Sequence, residues 1–156
     1  MRTRISDRLL AACLTVCLAC NGAAGATGWA QPTGSVTIST HFQATSQSWS
    51  GSTVLTLNHD GAVTIQASVA TGGDEVLTAS TNDALVTSYK LTGAALGGSA
   101  DGDWVSSSAF ISPARSYSVE GTGPSEITFW ARGTSAADRA NDAGTYTAVI
   151  ILTATW

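Results

Sequence analysis

The segment Gly144–Trp156, with the sequence GTYTAVIILTATW, constrains this chain most because its apolar residues recur at every second position. A period of two is typical of a β-strand, in which successive side chains point to opposite faces. We predict a strand that is buried on one face and half-buried on the other. A strand this apolar needs a pairing partner on each edge, because an open edge is a template for association. The residues predicted on the buried face are Tyr146, Ala148, Ile150, Leu152, Ala154 and Trp156.

Residues 1–26 have the pattern of a secretory signal peptide. Arg2, Arg4 and Arg8 precede an apolar run from Leu9 to Cys20, and small residues follow as far as Ala26. This arrangement predicts cleavage after Ala26 and export of the remainder. The apolar run is too short to span a bilayer as a helix, and no longer apolar run follows, so we expect no transmembrane helix. We therefore predict an exported, extracellular or cell-surface protein with a single domain over residues 27–156.

The three cysteines, Cys13, Cys17 and Cys20, all lie inside this leader. The domain after residue 26 is then expected to contain no disulfide, whatever the redox state of its compartment. Its stability must come from packing. An alternative reading of the leader is lipoprotein processing at Cys20, which would attach the protein to a membrane through a lipid.

The charge of the chain argues against nucleic acid as a partner. The sequence has 7 Lys+Arg and 11 Asp+Glu, and removing residues 1–26 leaves 4 and 10, a net charge of −6. Binding to a phosphate backbone relies on neutralisation by lysine and arginine. We therefore expect no nucleic acid partner.

The rest of the chain shows the same period of two, in short segments separated by turn residues. Alternating runs around Val63 and Leu85, and again around Ile127, indicate strands, and no long helical pattern interrupts them. Asp60-Gly61 joins two such runs and predicts a β-hairpin over residues 53–70. About seven or eight short strands predict an all-β fold, an antiparallel β-sandwich, with a closed barrel as the competing architecture.

The sequence after residue 26 contains none of the common catalytic motifs. After residue 26 there is no cysteine nucleophile, no G-x-S-x-G elbow, no phosphate-binding loop and no H-E-x-x-H. His41 and His59 have no evident second metal ligand and are expected at the surface. We therefore expect no enzyme activity, no cofactor and no metal. A sugar-binding platform is one interpretation of the larger aromatic residues, but we expect them to pack in the core or at its rim; they are Trp49, Trp104, Tyr117 and Trp130.

The run Asn141–Ala148, with the sequence NDAGTYTA, resembles the D-x-G-x-Y-x-C motif of immunoglobulin-like domains. Ala148 replaces the cysteine of that motif. In those domains the tyrosine, here Tyr146, turns a corner by bonding back to the backbone. The resemblance implies an antiparallel immunoglobulin-like β-sandwich.

The same end of the chain resembles the C-terminal motif of chaperone-usher pilus subunits, in which a glycine precedes an aromatic residue by twelve positions. Two departures are that the aromatic is terminal and that the disulfide of many such subunits is absent. The resemblance implies a subunit that lacks its last strand and receives an N-terminal strand from a neighbour. It also implies filament neighbours and a periplasmic chaperone as partners. The candidate donor strand comprises Val36, Ile38, Phe42 and Ala44. The candidate C-terminal assembly strand comprises Gly144, Tyr146, Ile150, Leu152 and Trp156.

Three functions follow from these observations. The first is a secreted, structural subunit of a bacterial surface filament or coat that assembles as a homo-oligomer through strand pairing. The alternative is a self-contained extracellular binding or adhesion module, in which residues 35–44 pair within their own domain. A further alternative is a small outer-membrane β-barrel, because such barrels also end in an aromatic residue preceded by alternating apolar ones.

Overall fold

Short alternating segments of this chain form β-strands, as their period of two predicts. The computed structural model describes residues 28–30, 47–97, 103–136 and 140–156, and the strand backbone of residues 11–20 and 33–40. The elements are β1 (Ala11–Cys20), β2 (Gly28–Trp29), β3 (Thr33–Thr40), β4 (Ser48–His59), β5 (Val63–Val69), β6 (Thr78–Ala79), β7 (Val86–Thr92), β8 (Leu96–Gly97), β9 (Val105–Ser106), α1 (Ser107–Phe110), β10 (Tyr117–Val119), β11 (Gly123–Thr134), β12 (Gly144–Thr147) and β13 (Val149–Thr155).

The strands form two sheets arranged as an open sandwich. One sheet has eight strands in the order β6-β12-β3-β1-β13-β5-β10-β8, and the other has five in the order β2-β4-β11-β7-β9. Pairing between named strands is antiparallel except between β1 and β13, which run parallel. The prediction of an all-β, mostly antiparallel sandwich is confirmed, and neither sheet closes on itself within the described residues.

The core lies between the two sheets and is built from the inward positions of each strand. Four aromatic side chains meet at its centre, where the ring of Phe110 lies 5.3 Å from Tyr89, 5.7 Å from Tyr117 and 6.0 Å from Phe129, measured between ring centres. These rings come from both sheets and from α1. A cluster of this kind stabilises the sandwich through both buried area and ring geometry.

The strand that alternation indicates around Ile127 is β11, which has one buried face and one partly exposed face. In β11, Ile127, Phe129 and Ala131 are buried, whereas Trp130 and Arg132 lie on the other face and remain partly exposed. β11 pairs with β4 over twelve residue pairs and with β7 over seven. It is therefore the central strand of its sheet.

The predicted hairpin around Asp60-Gly61 is wrong. β4 belongs to the five-stranded sheet and β5 to the eight-stranded one, so the turn carries the chain across the core from one sheet to the other. The inward-facing residues of the two strands are buried, as they would also be in a hairpin; they are Leu55 and Leu57 in β4, and Val63 and Ile65 in β5. Alternation therefore cannot distinguish a hairpin from an arch between sheets. β4 pairs instead with β11, and β5 pairs with β13.

None of the helical segments in the described parts of the chain has the length and apolar character that crossing a membrane as a helix requires.

Candidate assembly site

The C-terminal strand β13 is paired along both of its edges. On one edge it forms six antiparallel residue pairs with β5, from Ile150 opposite Val69 to Thr155 opposite Thr64. On the other edge it forms six parallel residue pairs with β1, from Thr15 opposite Val149 to Cys20 opposite Ala154. β1 lies wholly within residues 1–26. The second edge of the most apolar strand is thus covered by the segment whose sequence resembles a signal peptide.

The N-terminal strand β3 also depends on β1. It forms seven antiparallel residue pairs with β1, from Thr33 opposite Cys17 to Ser39 opposite Ala11. On its other edge it forms two residue pairs with β12, in which Thr40 and Ser39 lie opposite Gly144 and Thr145. β1 therefore occupies the position between β3 and β13 in the sheet.

The candidate donor strand is described in part. Val36 and Ile38 lie in β3, and the backbone of this strand pairs within its own chain. Phe42 and Ala44 lie outside the described residues. The donor role of these four residues stays a prediction.

The candidate C-terminal strand is continuous in sequence but divided in pairing. β12 ends at Thr147 and β13 begins at Val149, and the two halves have different neighbours. β12 lies between β3 and β6, whereas β13 lies between β1 and β5. The single predicted strand is therefore two, because its halves take different partners on both edges.

Burial along this segment follows the predicted face except at its end. Tyr146, Ile150 and Leu152 are 0% exposed, and Gly144, the first residue of β12, is half-buried. Trp156 is 47% exposed, so its predicted burial is wrong. It follows the last residue of β13, Thr155, which is exposed as well.

Tyr146 is fixed by a buried polar cluster that the sequence analysis did not identify. Its hydroxyl lies within hydrogen-bonding distance of two acceptors, Asp83 Oδ2 and the backbone oxygen of Asp142, the latter at 3.0 Å. The backbone N–H of Asp142 donates to Asp83 Oδ2 at 2.9 Å. Burial, followed by the neighbouring carboxylate of Asp83, raises the pKa of Tyr146 above its ordinary value.

This cluster attaches the start of β12 to the turn that follows β6. Asp83 is 7% exposed, and the turn residue before it, Asn82, has a φ of 63°. Asparagine adopts this left-handed conformation more readily than most residues. The corner motif around Tyr146 predicted the bond back to the backbone, but not the carboxylate of Asp83, which lies sixty-three residues away in sequence.

His59 was expected at the surface, and this is wrong. It is 5% exposed, and its ring nitrogens lie 2.8 Å from the Gly61 backbone oxygen and 2.7 Å from Ser125 Oγ. Nδ1 must donate to the carbonyl, so Nε2 accepts from the Ser125 hydroxyl when the ring is neutral. The pair joins the end of β4 to β11. No group of three or more His, Cys, Asp or Glu residues that could bind a metal occurs within the described ranges.

Comparison with known proteins adds no family assignment. No protein-family model matches the chain, and a search of curated proteins finds no match either.

Proposed function

We propose that this protein is an exported structural subunit of a bacterial surface filament or coat, without enzyme activity, and that it assembles by strand pairing between neighbouring copies. One observation carries the proposal. The strand between β3 and β13 is β1, and β1 belongs to the segment that resembles a signal peptide. Removal of residues 1–26 during export would leave a gap one strand wide in the eight-stranded sheet.

An empty gap of this kind would destabilise the sheet, because it leaves backbone groups unpaired and apolar side chains uncovered. The edge of β13 would lose six residue pairs, which exposes backbone N–H and C=O groups beside the buried side chains of Ile150 and Leu152. An open, apolar edge of this length pairs readily with another strand. A strand supplied by a second copy would restore the hydrogen bonds and cover the core.

The same removal would release the strand that we propose as the donor. β3 would keep two residue pairs with β12 after losing seven with β1. A segment held this weakly in its own sheet can be exchanged into the gap of a neighbour. The proposed donor residues are Val36, Ile38, Phe42 and Ala44, which alternate along the segment. In this proposal, a periplasmic chaperone protects the gap before assembly.

Closing the gap with an added strand tests the proposal. The protein is exported behind its own leader, once unchanged and once with a second copy of residues 33–44 joined after Trp156 by a short flexible linker. A strand that returns from the end of β13 runs antiparallel to it and reaches the position of β1. We expect the unchanged protein to form polymers and the extended protein to sediment as a monomer.

A matched control separates gap filling from simple lengthening. The appended copy carries Val36→Asp and Ile38→Asp, which place two charges on a segment that must pack against a core. This variant should polymerise like the unchanged protein. An unchanged protein that is secreted, lacks residues 1–26 and remains monomeric at high concentration would contradict the filament proposal.

The second candidate function is a self-contained extracellular binding or adhesion module. The pairing of β3 with β12 in its own chain favours it, because no neighbour is needed to place β3 in the sheet. Under this proposal the secreted monomer unfolds in a single cooperative transition without a partner. Sedimentation and thermal unfolding of the same sample distinguish the two functions.

A further inference from the structure

The outer face of the five-stranded sheet carries a row of aromatic and cationic side chains. Trp130 of β11 lies opposite Lys90 of β7, and Trp104 immediately precedes β9, the next strand. Lys90 Nζ lies 5.1 Å from the centre of the Trp130 ring and 4.9 Å from the centre of the Trp104 ring. Arg132 joins the same group, with its guanidinium carbon 4.5 Å from the Trp104 ring centre. We call these four residues the Trp–Lys row.

The row contains cationic side chains although the domain as a whole is acidic. Residues 27–156 contain 4 Lys+Arg and 10 Asp+Glu, and two of the four cations, Lys90 and Arg132, lie in this row. Neither forms an ion pair with a described residue. Both lie within 5 Å of the same indole ring. The row therefore brings two of the four cations of an acidic domain together at one indole ring.

The side chains of the row are held in place by contacts with their neighbours and remain partly exposed to solvent. The indole N–H of Trp130 donates to Thr92 Oγ1 at 3.0 Å, which sets the orientation of the ring. All four members of the row are partly exposed. Trp130 points away from the core because its strand neighbours Phe129 and Ala131 point into it. A ligand can therefore reach the row from solvent.

Small hydroxyl side chains flank the row. Ser52 lies opposite Trp130 on β4, and Ser50 and Ser88 lie on either side of Arg132. Ser50 and Ser52 are exposed. These hydroxyls can donate and accept hydrogen bonds beside the rings and the cations.

We propose that the Trp–Lys row binds an anionic polysaccharide, a pyranose polymer that carries carboxylate or sulfate groups. Indole rings provide apolar surface for the C–H face of a sugar, and lysine and arginine form charge-assisted hydrogen bonds with its acidic group. The two tryptophans are two strands apart, about 10 Å across the sheet, so both can contact one glycan chain. An open face suits a polymer that lies across the strands, whereas a small ligand needs a concave pocket.

Two cations on a protein of net negative charge are a poor match for nucleic acid, which carries one phosphate per nucleotide. The bases of a nucleic acid can also stack on indole rings, so the test compares the two ligands directly. The exposed hydroxyls of Ser50 and Ser52 beside the row match the hydroxyl groups of a sugar. Uronate polymers and sulfated polymers share one chemical feature, a pyranose ring that carries an acidic group. The experiment distinguishes them by using polygalacturonate for the first and heparin for the second.

The binding test uses the full chain, four polymers and, as the nucleic acid probe, a single-stranded oligothymidylate. Polygalacturonate supplies uronate, heparin supplies sulfate, dextran supplies uncharged sugar, and polyglutamate supplies carboxylate without sugar. Retardation in native affinity gels and tryptophan fluorescence give the affinities. We expect binding to polygalacturonate, to heparin or to both, weakened by salt because exposed charges are screened. Dextran and polyglutamate should bind at least about tenfold more weakly, because dextran lacks the acidic group and polyglutamate lacks the sugar ring.

Variants assign the binding to the row. Replacing both cations, as Lys90→Gln with Arg132→Gln, should weaken binding at least about tenfold, because hydrogen bonds to charged groups are lost. Trp130→Ala should weaken it about fivefold or more. Arg115→Gln is the matched control, since Arg115 also contacts an aromatic ring, that of Tyr117, but lies outside the row. It should bind like the unchanged protein. Thermal unfolding checks that each variant is folded. If Trp130→Ala does not fold, the double variant Lys90→Gln with Arg132→Gln decides by itself whether the row binds the polymer.

Four results would overturn the proposal. They are no binding to either acidic polysaccharide, equal binding to polyglutamate, equal or tighter binding to a single-stranded oligothymidylate, and unchanged affinity in the double charge variant. Binding to the row is independent of strand exchange. Variants of the row should therefore leave polymer formation unchanged, and the chain with the appended strand should bind polygalacturonate normally.

Discussion

At the residue scale, Ile150 and Leu152 are the side chains on which the C-terminal strand depends most. Both are fully buried in β13, between the two sheets. We expect Ile150→Ala and Leu152→Ala each to lower the free energy of unfolding by about 2–5 kcal/mol, through lost transfer energy and the cavity left behind. Chemical denaturation of each variant gives this difference.

Thr155→Ser is the matched control for these two variants. Thr155 lies in the same strand but is exposed, so losing its methyl group should cost less than about 1 kcal/mol. Alanine variants of Ile150 and Leu152 as stable as the unchanged protein would contradict the placement of β13 in the core. Ile150→Asp should in addition prevent assembly, because it buries an unpaired charge beside the proposed pairing edge.

The hydroxyl of Tyr146 is the second residue-scale determinant. It lies within hydrogen-bonding distance of the buried Asp83 carboxylate, so Tyr146→Phe removes a donor from a group that water cannot easily reach. We expect a loss of about 1–3 kcal/mol in the free energy of unfolding. Equilibrium denaturation measures it.

Tyr117→Phe provides the comparison. The Tyr117 hydroxyl accepts from Arg115 Nε at 2.8 Å, and Arg115 is partly exposed, so water can replace the lost partner. This variant should lose less than about 1 kcal/mol. If the two phenylalanine variants were equally stable, the Asp83 contact would contribute nothing particular to the fold.

At the scale of elements, the packing of β11 depends on a glycine. A Cβ atom built on Gly133 would lie 2.6 Å from Leu85 Cδ1 and 3.1 Å from Leu77 Cδ1, in the buried region where β11 meets the chain before β7. We expect Gly133→Ala to lower the free energy of unfolding by about 1–3 kcal/mol, because the leucines must move out of a packed core.

Gly61→Ala is the corresponding control in the arch between β4 and β5. A Cβ atom there has no neighbour within 4 Å. Its effect should lie within about 0.5 kcal/mol of zero or be slightly stabilising. Thermal melts of both variants, recorded together, test the prediction. A neutral Gly133→Ala would mean that β11 and Leu85 do not approach as closely as described.

At the scale of the whole molecule, all three tyrosines of the chain lie in the core, and this predicts how stability depends on pH. Burial raises the pKa of Tyr89, Tyr117 and Tyr146 above the ordinary value of 10.0. Above about pH 10, the unfolded chain loses phenolic protons that the folded protein keeps. Deprotonation then favours the unfolded state, so the contribution of the tyrosines to stability should be constant below this pH and fall above it.

Melting temperatures recorded between about pH 8 and pH 11 measure this loss. Tyr89→Phe removes one of the three groups and should make the fall shallower. A melting temperature that does not change across this range would contradict the burial of the tyrosines.

Much of the fold can be predicted from the sequence, because local alternation directly specifies which side chains face the core. The burial of Ile150 and Leu152, and the outward position of Trp130 and Arg132, follow from a period of two with no knowledge of any partner. The same pattern predicts the all-β class. These properties belong to single strands.

The pairing of the edges depends on long-range contacts, which alternation does not specify. A strand keeps the same inward residues whether its neighbour is the next segment or a distant one, so the pairing of β4 with β11, rather than β5, was not predicted. The change of partners at Ala148 and the position of β1 between β3 and β13 were not predicted for the same reason, because both depend on which distant strands pair.

Contacts between distant side chains were likewise decided by the tertiary structure. Asp83 reaches Tyr146 across sixty-three residues, His59 reaches Ser125 across sixty-six, and Lys90 meets Trp130 because β7 and β11 are neighbours. Each residue alone has an ordinary interpretation as a turn, a surface or a packing residue. The sequence specifies the faces of the strands because side-chain direction is local, whereas the assembly edge and the Trp–Lys row arise only when folding brings distant strands side by side.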